Sequence, residues 1–351
     1  GGDTGHIALV SKRSRDGGRT WDELTTVWDD GKNTWGNPCP VVEREGGLIF
    51  LLVTHNLGCD RQCDIQARRA QGTRTVWVLC SSDHGVSWTE PVDITASAKK
   101  PEWDWYATGP GAGIQMQHGV HAGRLVVPCV HNGPMGADPC SHVLLSDDSG
   151  STWQLGGSSS GSSECEAVEL EGGRLLLNMR NVASKDRQLP RKQAWSDDGG
   201  LTWHHQHYAS ELVEPRCQAS IRRLAWFAED RPGILLFTNP ASFSERTRLT
   251  LRASFDDGAT WPWQMLLHPG STGYSCLAVL PDGGAVCLYE ADGYGEIRSR
   301  RIEASSLPTQ VEPNAETSEY EADGYGVIRS CRIEASSNTG GAKGRDLRVS
   351  R

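Results

Sequence analysis

One eight-residue pattern, present five times, constrains this chain more than any other feature. Ser-x-Asp-x-Gly-x-(Ser/Thr)-Trp occurs at Ser14–Trp21, Ser81–Trp88, Ser146–Trp153, Ser196–Trp203 and Ser254–Trp261. Successive copies start 50 to 67 residues apart, and internal repeats of this kind fix an architecture before any local reading does. Apolar, strand-like runs such as His6–Val10 and Thr75–Cys80 precede them. Within each copy the Asp side chain can accept backbone N–H groups and the Gly tolerates positive φ, which are the two needs of a tight turn. The closing Trp opens the next strand and has a large ring to bury.

A second signal interleaves with the first. Short apolar runs entered through Gly appear at Gly47–Val53, Gly123–Val130, Gly173–Met179, Gly233–Thr238 and Gly284–Tyr289. Runs apolar on both faces suit strands covered on both sides. Each of the first four precedes a hairpin copy, the first hairpin has no such run before it, and the fifth run leads to the alternating segment Glu296–Ile302. The count is six small sheets, the first without its inner strands. Radially repeated small sheets make a β-propeller. The expectation is an all-β, six-bladed propeller over residues 1–306 with a truncated first blade; a solenoid of the same period is the alternative. Tyr289–Ser306 recurs at Tyr320–Ser337 with two differences, Glu296/Val327 and Arg300/Cys331. Residues 307–351 are therefore read as a duplicated terminal strand followed by a disordered polar tail.

Composition removes several function classes. A net charge of −9 argues against a nucleic-acid backbone as partner. No apolar run approaches the roughly 20 residues that span a bilayer. Most of the 11 Cys read as buried thiols; Cys59 and Cys63 could pair or bind metal, but no second half-site accompanies them. Gly156–Ser163 contains only Gly and Ser and reads as a flexible loop. Its Gly-x-Ser-x-Gly match at Gly157–Gly161 lacks the strand before and helix after that a nucleophile elbow needs. Gly109–Gly113 resembles a nucleotide loop, but no helical pattern follows it. The acidic hairpins lack calcium-loop spacing, and the 11 His form no zinc motif.

Strand ends of all blades converge on one propeller mouth, so distant residues can meet there. Candidates that a sheet does not require are Asp3 in the opening loop, Glu164 at the loop end of Glu164–Leu170, and Arg180 closing an apolar strand. Arg246, ahead of Leu249–Arg252, and Tyr274, in a turn running into a strand, complete the set. Arginines at such a mouth suit a carboxylate, which the planar fork grips bidentately. Periodicity alone does not prefer Arg180 over Arg222 or Arg298.

These residues, in this order, resemble the sialidase (neuraminidase) family over roughly residues 3–303. The five hairpins are similar to its Asp-boxes, which other propellers also carry; the ordered set is the specific signal. Asp3–Val10, with Asp3 lying 11 residues before the first box serine, resembles the segment of the acid/base Asp. Ser163–Cys165 with Leu177–Arg180 resembles the segment of the glutamate and second triad Arg. Thr238–Pro240 with Arg246 resembles the third-Arg segment, and Gly273–Ser275 with Leu288–Glu290 the segment of the nucleophilic Tyr. Gly36–Pro38 and Tyr106–Gln115 match pocket-forming loops, making Asn37, Tyr106 and Gln115 pocket candidates. The resemblance implies an exo-α-sialidase that removes terminal sialic acid from a glycoprotein, glycolipid or oligosaccharide with retention, using Tyr274 as nucleophile, Glu164 as its base, Asp3 as acid/base and Arg180 with Arg246 on the substrate carboxylate. It implies no metal and no organic cofactor. Lysosomal or secreted locations follow from the resemblance; a cytoplasmic or membrane-associated one stays open, as does oligomeric state.

The family's first triad Arg has no counterpart here, since it would lie tens of residues before Asp3. Weak or absent activity and lowered stability are therefore expected of this chain, through one lost carboxylate contact and an exposed sheet edge. Three rival functions remain: a non-catalytic glycan- or protein-binding propeller, a glycosidase using paired carboxylates, and a trans-sialidase.

Overall fold

The computed structural model describes residues 3–133, 137–182 and 188–310, and the backbone of 326–328. Strands β1 (Leu9–Ser11) and β2 (Thr25–Trp28) form a two-stranded ribbon. A four-stranded sheet follows, in the order β3 (Thr34–Val42), β4 (Ile49–Asn56), β5 (Thr75–Ser81) and β6 (Val92–Asp93). In the next sheet β7 (Tyr106–Thr108) and β8 (Ile114–Gln115) both pair with β9 (Leu125–Asn132), then come β10 (Pro139–Ser146) and β11 (Gln154–Ser160). The third runs β12 (Ser162–Glu169), β13 (Leu175–Asn181), β14 (Arg191–Ser196), β15 (His204–Ala209). The last assembly is β16 (Ser220–Ala225), β17 (Ile234–Pro240), β18 (Thr247–Ser254), β19 (Trp263–Val279), β20 (Ala285–Ala291), β21 (Glu296–Ile302) and β22 (Gly326–Ile328). Pairing throughout the sheets is antiparallel, as short hairpin connections require. The 17-residue β19 pairs with β18 through its first half and with β20 through its second.

The core lies between sheets. Cys39, Phe50 and Leu52 meet Leu125, Val127 and Trp153; Val126 and Leu145 meet Ala167 and Leu177; Val168 and Leu176 meet Ile221 and Phe237. This is why the apolar runs have no polar face: β4, β9, β13, β17 and β20 are each covered on both sides. They are the second strand of each sheet, however, not the innermost as the count above took them to be. The innermost strands β3, β7, β12, β16 and the second half of β19 carry more polar residues, which is why hydropathy alone passes over them. The result is an all-β, propeller-like arrangement.

Each hairpin motif joins the third strand of a sheet to the fourth, the first joining β1 to β2. In all five the Ser hydroxyl donates to the Asp carboxylate at 2.7–2.9 Å and accepts the Gly N–H at 2.7–2.9 Å. The Ser or Thr hydroxyl before the Trp donates to the second carboxylate oxygen at 2.5–2.6 Å. The Ser87 hydroxyl and N–H hold Asp83 down at about 2. Three of the motif glycines, Gly18, Gly150 and Gly258, are close-approach sites as well as turn residues. A Cβ on Gly150 would meet the Phe50 ring of the preceding sheet at 2.2 Å, and one on Gly258 would meet Leu176 at 2.7 Å. Gly18 sits against Val286 of β20, and Trp21 Nε1 donates to Ser299 of β21 at 3.1 Å. The first hairpin thus seats on the last sheet.

One further expectation changes. Gly156–Ser163 is not a loop: it spans the end of β11 and the start of β12. Its glycines answer to proximity, since Gly157 N–H donates to Gly200 O at 2.7 Å and a Cβ on Gly157 would meet Leu201 O at 2.5 Å. Cys59 and Cys63 are both free, exposed thiols. Of the duplicated tail, Gly326–Ile328 pairs with Ile297–Ser299; the rest of 311–351 lies outside the described residues. No helix among the described residues is long and apolar enough to cross a membrane.

Candidate active site

Register separates the two ends of the sheets. Ser196, which opens a hairpin motif, pairs with Leu175 at the start of β13, whereas Arg180 lies at the other end of that strand. The motifs therefore mark the end away from Arg180. At the Arg180 end, three innermost strands break register: β3 between Gly36 and Cys39, β12 between Ser162 and Cys165, and β19 between Thr272 and Ser275. Such breaks re-aim the residues within them. Those residues include Asn37, Glu164 and Tyr274. The sequence reading had Glu164 at a loop end and Tyr274 in a turn; both are inside strands, carried to the mouth by irregular pairing.

Glu164 and Tyr274 meet although 110 residues separate them. The Tyr274 hydroxyl donates to Glu164 Oε1, Arg180 Nη1 donates to Glu164 Oε2 at 2.6 Å, and the same nitrogen reaches Tyr274 Oη at 3.3 Å. Burial, reinforced by the Glu164 charge, pushes the Tyr274 phenol well above its usual range. Burial works to lower the Arg180 pKa, but Glu164 outweighs it and the guanidinium stays charged. Tyr274 N–H donates to Glu290 Oε2 at 2.9 Å, which fixes the backbone at the break. Arg246 stands 5.6 Å from the Tyr274 ring centroid, and its fork donates to Arg216 O at 3.1 Å and Tyr294 Oη at 3.3 Å. A cavity of about 670 Å³ opens between Arg180 and Arg246. Four of the five candidates that sequence placed at the mouth, Glu164, Arg180, Arg246 and Tyr274, are thus neighbours.

Asp3 is held separately, by a residue that sequence reasoning missed. The Arg74 side chain is fully buried, with Nη1 3.4 Å from Asp3 Oδ2, Nη2 donating to Asn37 Oδ1 at 2.6 Å and Nε to Thr54 Oγ1 at 3.1 Å. Its guanidinium lies 3.9 Å from the Trp105 ring. Burial brings the Arg74 pKa to about 10, with Asp3 opposing the fall. Asp3 itself is half exposed. In the sequence, Arg74 is only one more cation at a strand start.

Tyr106 and Gln115 do not line the cavity between Arg180 and Arg246. Tyr106 is fully buried and its hydroxyl meets His142 Nε2 at 3.0 Å. Gln115 pairs with Leu125, which pairs with the motif residue Ser146, so it belongs to the far end, bonding Arg44 N–H and Gly123 O. Asn37 is at the mouth, in the left-handed region at φ 51°. A second unforeseen feature is a buried brace: Arg191 donates to Glu214, Asn178 and Cys217 O at 2.7–2.8 Å, while Glu214 Oε1 accepts both the N–H and the side-chain amide of Asn181 at 2.6 Å. It ties the strand end after Arg180 to the segment Glu214–Gln218. Among the described residues no three His, Cys, Asp or Glu side chains converge as a metal site.

Comparison with known proteins places this geometry. The family model described as a BNR repeat-like domain matches residues 2–287. A sialidase of Micromonospora viridifaciens is 36% identical over 300 residues, covering 82% of this chain and 45% of that protein. A sialidase of Bacteroides fragilis is 30% identical over 306 residues, with 82% and 54% covered. The chain spans about half the length of these curated relatives. Among solved structures, the Hadza microbial sialidase Hz136 aligns with a TM-score of 0.76 at 28% identity, over 88% of this chain and 61% of that one. A leech intramolecular trans-sialidase shares the fold at a TM-score of 0.74 and 17% identity, over 88% and 65%. With repeats, sheet order and sequence agreeing over most of its length, the chain belongs to the sialidase family.

Proposed function

We propose that this chain is an exo-α-sialidase acting with retention of configuration through Tyr274. The observation that carries the reading is the Tyr274–Glu164–Arg180 contact beside a second cation, Arg246. A sialoside bears a carboxylate on its anomeric carbon, which would repel a carboxylate nucleophile; sialidases are the Tyr exception among retaining glycosidases. A neutral phenol avoids the repulsion but needs a base.

In the first step Tyr274 Oη bonds to the anomeric carbon as its proton passes to Glu164. The glycosidic C–O bond breaks, and Asp3 gives its proton to the departing oxygen. In the second, Asp3 takes a proton from water, the resulting hydroxide attacks the same carbon, and Tyr274 departs, regaining its proton from Glu164. Arg180 and Arg246 grip the substrate carboxylate and hold the ring for attack. Arg74 keeps Asp3 in place.

The same proposal takes the scaffold as a six-bladed propeller over residues 1–306. The β1–β2 ribbon is the outer part of one blade, and β19 is shared between two. Substrates are sialylated glycoproteins, glycolipids or oligosaccharides. The test is release of a fluorophore from an α-sialoside, with the anomer of first-formed sialic acid followed by NMR. First-formed β-anomer, or a Tyr274→Phe variant as fast as the parent chain, refutes the proposal; an anhydro sugar or a sialylated acceptor as sole product assigns the trans-sialidase alternative.

A further inference from the structure

The cavity beside the carboxylate clamp holds a third guanidinium that the chemistry above does not use. Its lining includes Arg180, Arg246, Arg216, Gln188, Glu214 and Phe243. We propose that it is a second anion site, in which Arg216 binds an acidic group on the leaving sugar: a carboxylate or a sulfate. This rests on the reading of the chain as a sialidase.

Three observations carry it. Arg216 Nε is buried and has no hydrogen-bond partner among the described residues, an expensive state for a guanidinium that only decorates a surface. Its backbone is held in the left-handed region at φ 55°, a conformation that non-Gly residues rarely adopt. The neighbours on both sides are fastened inward: Glu214 to Arg191 and Asn181, Cys217 O to Arg191, and Gln218 to Pro110 O and to Ser275 N–H. A segment so pinned presents residue 216 rather than letting it drift. The charge balance points the same way. Glu214 is the carboxylate of the lining among the described residues, and Arg191 and Asn181 already engage it; Arg180 is paired with Glu164, which leaves Arg216 and Arg246 as cations of the wall with no carboxylate partner among the described residues. In a chain of net charge −9 this is a local arrangement and not a by-product of a basic protein, and a positive cleft concentrates anions. The planar guanidinium fork suits a planar carboxylate or a sulfate.

The experiment compares wild type, Arg216→Ala and Arg216→Lys on three substrates: a neutral sialyl-galactoside, its analogue extended as an α2,8-disialyl-galactoside, and a sulfated sialyl-galactoside. The readout is the ratio of kcat/KM on each acidic substrate to that on the neutral one. Wild type is expected to favour one or both acidic substrates by about tenfold, mainly in KM, as one charge-assisted contact provides. That ratio should fall to near one in Arg216→Ala and be partly kept in Arg216→Lys; which acidic substrate is favoured identifies carboxylate or sulfate. An active wild type with no preference, or one that Arg216→Ala leaves intact, overturns the anion site alone. With a wild type inert on every substrate, failure to bind the monosialyl glycan overturns the sialidase reading. In that case calorimetric binding of the disialyl glycan still decides the site: tighter binding than the monosialyl glycan, lost in Arg216→Ala, supports it, and equal binding overturns it.

Discussion

Replacing Glu164 by Gln isolates the proton transfer on which the proposed chemistry depends. Gln keeps the side-chain length and can still meet the Tyr274 hydroxyl, so the perturbation is loss of a base and of one negative charge. Removing the charge relieves part of the upward push on the phenol, but burial, the larger cause, remains. With a phenol pKa at or above about 10, fewer than about one Tyr in 10⁴ is ionised near pH 6. Loss of general-base help costs about 10² to 10⁴ in rate, or roughly 2.7 to 5.5 kcal/mol on the barrier. Binding should respond in the opposite sense. Arg180 loses its 2.6 Å partner and its fork turns wholly to the substrate carboxylate, so KM should hold or fall while kcat collapses. Steady-state hydrolysis of a fluorogenic α-sialoside, with a circular-dichroism melt as control for folding, measures both. A folded Glu164→Gln enzyme with kcat within about threefold of wild type would refute the assignment, as would a change confined to KM.

Tyr274→Phe removes the nucleophile while filling the same space; kcat should drop at least as far as in Glu164→Gln, and an undiminished rate sinks the Tyr mechanism. Arg74→Met leaves Asn37, Thr54 and Asp3 without their shared donor, and removing one member of so buried a polar network should cost about 3 kcal/mol, read as a lower melting temperature together with slower turnover of substrates having poor leaving groups. Gly150→Ala drives a methyl group into the Phe50 ring at a φ of 83° and should destabilise by about 2 kcal/mol or more without changing KM. His131 and His142 touch through their Nδ1 atoms at 3.1 Å beneath Trp103 and Tyr106; burial, with Lys100 and Lys99 adding to it, lowers His131 to about 4, and burial lowers His142 further. Both are neutral in the fold and titrate near 6.5 when unfolded, so the stability they confer is present above about pH 6.5 and lost as pH falls toward 4. Replacing His142 by Phe should flatten that acid limb in pH-dependent urea melts, and an unchanged slope would contradict the argument.

The repeats made the sheets readable because turn chemistry and two-sided burial leave strong local marks. Glu164 and Tyr274 are candidates among several at a mouth, and only the resemblance gives them roles, since a register break has no sequence signature: Ser162 and Ser163 read as the end of a Gly/Ser loop. Gln115 shows the reverse failure. A match to a pocket loop does not say which end of a strand a side chain occupies, and pairing through Leu125 to Ser146 puts this one far from the chemistry. Arg74 stayed hidden because its importance lies in what surrounds it, namely Asp3, Asn37, Thr54 and Trp105, contributed by four separate segments. Gly156 and Gly157 misled for the same reason: absent side chains mark flexibility or contact alike, and only the neighbouring hairpin decides between them.

The tight glycine seats at the far end carry a mechanical consequence for the chemistry. Tyr274 and Glu164 approach from different sheets, with β13 to β18 between them along the chain, so their separation is set by how far those sheets stand apart. The hairpins work as a hoop: three of them fix a neighbouring sheet's distance where Phe50, Leu176 and Val286 meet a bare Cα. Loosening one seat would widen the gap at the opposite rim by leverage, before any strand melts. Heat or a motif mutation should therefore silence turnover while the circular-dichroism spectrum still reports a folded ring, and the interval between those two temperatures measures the stiffness of the hoop.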